Sequence, residues 1–133
     1  MKKFLLVFGL LIMLSTAANA QAALSKAVWV TIKIQKSKCP TCTDLLDQYL
    51  IRENRSSMNA GMLKWQIKFN AGFIRVQYLN DRTNEKAIRV AINNAGFDAD
   101  EEKATEDSYK MLPKQCKRKD DGGIILPTKE QCP

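Results

Sequence analysis

The chain has 133 residues, 21 Lys and Arg against 14 Asp and Glu, four cysteines and no histidine, giving a formal charge of +7. With no histidine to act as a general base, and with no paired-carboxylate or serine-nucleophile motif, an enzyme is not expected. Two of the seven charge units belong to Lys2 and Lys3; the remaining excess suits acidic partners or solubility better than nucleic acid.

Residues 1–20 read as an export signal. Lys2 and Lys3 form a basic start, Phe4 to Leu14 is nearly unbroken apolar sequence, and Ala18-Asn19-Ala20 reads as a cleavage site. The apolar run is shorter than the ~20 residues of a membrane span. This predicts a periplasmic or secreted protein with no stable membrane insertion after cleavage. Residues 21–26 form a short linker.

Val28, Val30, Ile32 and Ile34 alternate with Trp29, Thr31 and Lys33, the pattern of a half-buried strand. Cys42, Leu45, Leu46 and Tyr49 then recur at helical spacing, and Ser56-Ser57 follows Arg55 as loop. Leu63, Trp65, Ile67 and Phe69 predict a second strand, and Ile74, Val76 and Tyr78 a third. Asn70-Ala71-Gly72 between them reads as a hairpin. Thr83 is placed to cap a second helix with Ile88, Ala91, Ile92 and Ala95 as its buried stripe, and Gly96 stands where a helix stops. A short last strand is expected at Phe97–Ala99. The predicted fold is α+β: a ferredoxin-like βαββαβ sandwich, a four-stranded antiparallel sheet with both helices on one face. This domain spans residues 27–103. Residues 104–133 read as a polar C-terminal tail.

Chemistry concentrates at Cys39-Pro40-Thr41-Cys42. A residue before proline avoids the α region, and proline suits the first helical position. Cys39 is therefore expected near the N-cap and Cys42 at the third helical position, pointing the same way. The unpaired N–H groups of a helix start, with Lys36 and Lys38 beside them, favour thiolate. Paired thiolates suit soft ions, and two of them do not fill the four-ligand shell of structural zinc. An under-filled site lets a partner thiol enter and take the ion. Cu(I) is the preferred cargo, with Hg(II), Zn(II) and Cd(II) open.

The same CxxC also fits a thiol–disulfide protein, because a redox motif of this kind likewise follows a strand and opens a helix. Four cysteines allow three pairings, and the sequence does not choose among them. Cys116 is expected to pair with Cys132, to stay a free thiol, or to fold back as a third thiolate. Cys132 is expected to lie outside the site. Met58, Met62 and Met111 are expected to pack rather than ligate, and the acidic run from Asp98 to Asp107 to be a solvated linker.

The βαββαβ order with CxxC in the first strand–helix loop resembles the heavy-metal-associated domain, a family of copper chaperones, transporter modules and periplasmic mercuric-ion-binding proteins. Asn94-Ala95-Gly96-Phe97-Asp98-Ala99 is similar to that family's link from second helix to last strand. The resemblance implies Cys39 and Cys42 as metal ligands and Phe97 as a ring packed near the metal loop, with Lys38 and Pro40 beside the site. It also implies transfer to a metal-transporting membrane protein or another metal-binding domain, from a monomer or a metal-bridged dimer. Ser37 stands where the family carries methionine. The stretch from Tyr109 to Lys117 looks like an extension of some exported members. RNA-recognition modules share the topology, but Arg75 sits where a base-stacking ring is required, so no nucleic acid is expected.

Overall fold

The computed structural model describes residues 26–56, 60–123 and 132. The export signal, most of the linker, Met58 and the apolar run Ile124 to Leu126 lie outside these residues. Six regular elements follow in order: β1 Ala27–Lys33, α1 Pro40–Arg55, β2 Met62–Lys68, β3 Phe73–Leu79, α2 Glu85–Asn94 and α3 Glu106–Met111. Two 3-10 turns follow at Lys114–Cys116 and Lys119–Asp121.

The fold is α+β, with a three-stranded antiparallel sheet in the order β1-β3-β2. In β1, Val30 and Ile32 are buried while Trp29, Thr31 and Lys33 are exposed, so one sheet face is covered and the other is open. The covering stripes are Cys42, Leu46 and Leu50 of α1 and Ile88, Ala91 and Ile92 of α2. They pack with Ile32, Ile74 and Val76 into one core.

Two expected faces are shifted. In α1 the buried residues step by four, and Leu45 is 37% exposed. In β2 the register shifts between Met62, opposite Tyr78, and Lys64, opposite Gln77. This bulge sends Met62 inward, while Leu63, expected in the core, is 51% exposed. The cap of α2 also falls one residue later than expected. Asn84, not Thr83, accepts a hydrogen bond from the Ala87 N–H at 2.9 Å through its side chain.

The end of α2 is as expected. Gly96 has φ of 98°, the Phe97 N–H donates to Ile92 and the Gly96 N–H to Asn93. These two bonds close the helix with a left-handed residue that glycine adopts at low cost.

The fourth strand does not form among the described residues. After Phe97 the chain turns back: Asp100 takes φ of 53°, and Ala99 bridges only to Glu102. Asp100 instead closes the end of β1. Its N–H donates to the Lys33 carbonyl and its carboxylate accepts from the Lys33 N–H, both at 2.8 Å.

The segment read as a polar tail packs on the domain. Leu112 and Cys116 lie in the core, at 8% and 0% exposure. Asp98 is not a solvated linker residue: Arg118 binds both of its carboxylate oxygens at 2.6 Å. Burial raises the Asp98 carboxyl, but Arg118, the Ala104 N–H and Lys103 outweigh it and hold it below its ordinary value. Arg118 is correspondingly raised, first by its bond to Asp98. The expected packing role holds for Met62, which is buried, and fails for Met111, which is 86% exposed.

Candidate functional site

The loop from Ile34 to Cys39 leaves β1 and enters α1 with the expected local geometry. Cys39 is the N-cap residue, extended at φ −83° and ψ 125°, and Pro40 opens the helix. The Cys42 N–H donates to the Cys39 carbonyl at 3.2 Å, closing the first turn. Both cysteines are buried, Cys42 at 0% and Cys39 at 3%. Pro40 and Lys38 are exposed beside them.

Neither cysteine carries a free thiol. Cys39 is bonded to Cys132 and Cys42 to Cys116, each with Cα atoms 5.5 Å apart. The pairing of Cys116 with Cys132 is therefore not adopted, and Cys132 is not remote from the site. A disulfide within the CxxC is not adopted either. The expected lowering of the thiol pKa values has no counterpart here, since bonded sulfurs do not titrate. Among the described residues no group of three or more Cys, Asp or Glu is arranged to hold a metal ion.

Ser37 organises the loop in place of a methionine anchor. Its hydroxyl oxygen accepts from the Cys39 N–H at 3.2 Å and lies 3.2 Å from the Gln115 carbonyl and 3.3 Å from Cys42 Sγ. A disulfide sulfur has no proton to donate, and the single hydroxyl proton goes to the Gln115 carbonyl, which leaves Cys42 Sγ as a close neighbour. Gln35 adds a second tie. Its side chain donates to the Cys116 carbonyl at 3.1 Å and accepts from the Asp98 N–H at 2.9 Å. The tail is thus held at the CxxC by two disulfides and by two polar side chains of the same loop. Sequence reading missed both Gln35 and the Asp98–Arg118 pair, because their partners lie 63 to 81 residues away or across the tail. The one available signal was the basic run Lys117-Arg118-Lys119, opposite in sign to the acidic stretch that begins at Asp98.

Phe97 is fully buried and packs on Phe69, with ring centroids 5.1 Å apart. The Phe69 carbonyl accepts from the Ser37 N–H at 3.1 Å, so this aromatic pair backs the loop. A cleft of about 610 Å³ opens beside it, lined by Ser37, Lys38, Cys39, Pro40, Phe69 and Asn70. A second, of about 400 Å³, is lined by Lys36, Lys117, Lys119 and Gln115.

These features define a class: a small α+β protein whose CxxC opens a helix and is bonded at both cysteines to its own C-terminal segment. No family model matches the chain, and no curated protein does. Among solved structures it is similar to a solution structure from Bacillus anthracis str. Ames, a protein provisionally described as copper-ion-binding. Identity is 16%, the TM-score is 0.45, and the match covers 55% of this chain and 94% of the other. That likeness is too distant to place this chain in a family.

Proposed function

We propose that the reduced protein binds a soft cation through Cys39 and Cys42 and passes it to a transporter or efflux partner by thiolate exchange. In this reading the scaffold is a ferredoxin-like, heavy-metal-associated domain that acts outside the cytoplasm, and Cu(I) is the preferred cargo. The carrying observation is the convergence of sulfur at one helix start. Cys39 and Cys42 occupy the N-cap and third positions of α1, and Cys116 is brought within bonding distance of Cys42 from 74 residues away.

The donor set fits such a cargo only after reduction. A disulfide sulfur carries no charge and is a poor ligand, whereas thiolates hold soft ions. Opening each bond takes two electrons and two protons from a thiol reductant, which leaves as a disulfide. The released thiolates lie where unpaired helix N–H groups and the macrodipole favour anions. Cys116 is a candidate third thiolate, because Gln35, Ser37 and the Arg118–Asp98 pair hold its segment in place without the sulfur bond. The disulfide-bonded form is the closed state. A partner thiolate would enter the reduced form, share the ion, and leave with it.

A second reading has its own support. Both cysteines of the CxxC are disulfide-bonded, as in a thiol–disulfide protein that hands oxidising equivalents to other thiols. An anaerobic Cu(I) titration against a competing chelator separates the two. The chain from Gln21 onward would be run reduced and oxidised, beside Cys42→Ser and Cys116→Ser. Expected is one tightly held Cu(I) in the reduced protein, lost in Cys42→Ser and absent from the oxidised form. No competitive binding by the reduced protein overturns the carrier reading in favour of disulfide exchange.

A further inference from the structure

The uncovered face of the sheet carries charge of one sign. Lys33 of β1, Lys64 and Lys68 of β2 and Arg75 of β3 are all exposed on it. Their register places them on one side, since Thr31 faces Arg75, Lys64 faces Gln77, and Lys33 and Lys68 both face Phe73. No Asp or Glu occurs in any of the three strands. Two nearby carboxylates are paired elsewhere, Asp81 with Lys26 at 3.2 Å and Asp100 with Arg89 at 2.7 Å, while Asp44 shares the loop-end cleft with Lys68. None of the four cations stands in an ion pair among the described residues.

An indole lies among these charges. Trp29 is 41% exposed, with the Arg75 guanidinium 5.0 Å and the Lys64 ammonium 5.4 Å from its ring centre. The ring is partly covered by these two cations, which its quadrupole attracts. The bulge in β2 adds Leu63, 51% exposed, at the edge next to Lys64. The two clefts described above lie at the loop end and take in only Lys68 of these residues. The face measures roughly 20 Å by 10 Å from strand rise and spacing.

We propose that this face docks on the surface of an anionic lipid bilayer. A face with cations and no carboxylate in its strands suits a sheet of negative headgroups, and each Lys or Arg brought to such a surface adds attraction. Indole rings settle at the headgroup level, where one part is apolar and the other wet. A nucleic acid is the poorer fit, because Arg75 and Lys64 already crowd the ring on which a base would stack. The proposal does not depend on the metal reading. The two would combine simply, since Lys33 and Lys68 lie at the end of the face from which the chain leads into the Cys39 loop.

The test is co-sedimentation of the chain from Gln21 onward, which carries the whole core and all four cysteines. The vesicles are neutral phosphatidylcholine or phosphatidylcholine enriched in phosphatidylglycerol. Expected is binding to the anionic vesicles only, lost at high salt. It should fall about tenfold or more in Lys64→Gln/Arg75→Gln, and also fall in Trp29→Ala. It should hold in Lys86→Gln/Arg55→Gln, which removes the same charge from the helices. Equal binding to neutral vesicles, equal loss in the helix pair, or no sedimentation overturns the proposal. So does an acidic peptide or single-stranded DNA that binds through this face more tightly than the vesicles do.

Discussion

Cys42 and Cys116 are joined across 74 residues of sequence, and both are fully buried. The bond ties the first turn of α1 to a segment that follows the last regular helix. It closes nearly the whole domain into one loop and so restricts the unfolded chain strongly. The Cys42→Ser/Cys116→Ser variant should therefore lose about 2–5 kcal/mol of stability. Denaturant unfolding under oxidising conditions measures this. An unchanged midpoint would mean that the polar ties of Gln35 and Ser37 hold the segment alone.

The two disulfides should not open together. Thiol exchange requires an incoming thiolate to reach a sulfur. Cys42 and Cys116 are at 0% exposure, whereas Cys132 is only half-buried and offers a way in to the other bond. Brief treatment with a limiting thiol, followed by alkylation and mass spectrometry, should label Cys39 and Cys132 before Cys42 and Cys116. The reverse order would show that access does not control reduction here.

Gly96 should tolerate no side chain. Its φ of 98° is strained for any L-residue, and an added Cβ would meet the Ser108 carbonyl oxygen at 2.9 Å and Leu112 Cγ at 3.0 Å. Both neighbours belong to the C-terminal segment, so Gly96→Ala should push that segment off the domain as well as straining the helix end. The backbone conformation alone costs about 1–2 kcal/mol. Faster limited proteolysis after residue 104, with a lower melting temperature, is the expected result.

Much of this architecture was legible from local pattern, and the reasons are specific. Alternation gave β1 and β3 nearly to the residue, and the Pro40 rule placed Cys39 at the N-cap and Cys42 one turn in. Gly96 was readable because a left-handed helix end favours glycine. The bulge at Leu63 was not readable, since one extra residue leaves the run looking apolar on its usual parity. The missing fourth strand hinged on the left-handed Asp100, which local sequence does not announce. The disulfide partners were beyond reach for another reason. Connectivity depends on where the C-terminal segment lands, and that is set by Leu112 in the core and by Arg118 on Asp98, contacts distant in sequence.

Acid should loosen the C-terminal segment through Asp98. Its carboxyl is opposed by burial and lowered more strongly by Arg118 and the Ala104 N–H, for a net downward direction. The sign follows from linkage. A carboxyl held below its unfolded value contributes stability that is complete above the unfolded value and is lost as pH falls through the folded one. Burial raises the Asp100 carboxyl too, and the Lys33 N–H and Arg89 outweigh it, so the two carboxyls act in the same direction. Stability of the parent should therefore fall below the usual carboxylate range. Asp98→Asn should be weaker at neutral pH and show a shallower fall, because it has already lost the ion pair with Arg118. Melting temperature against pH for both proteins checks this, with the disulfides kept intact so that only the polar latch is varied. Parallel curves of equal slope would show that Asp98 titrates alike in the folded and unfolded chains, and that the segment is held by buried side chains such as Leu112 rather than by the charge of Arg118.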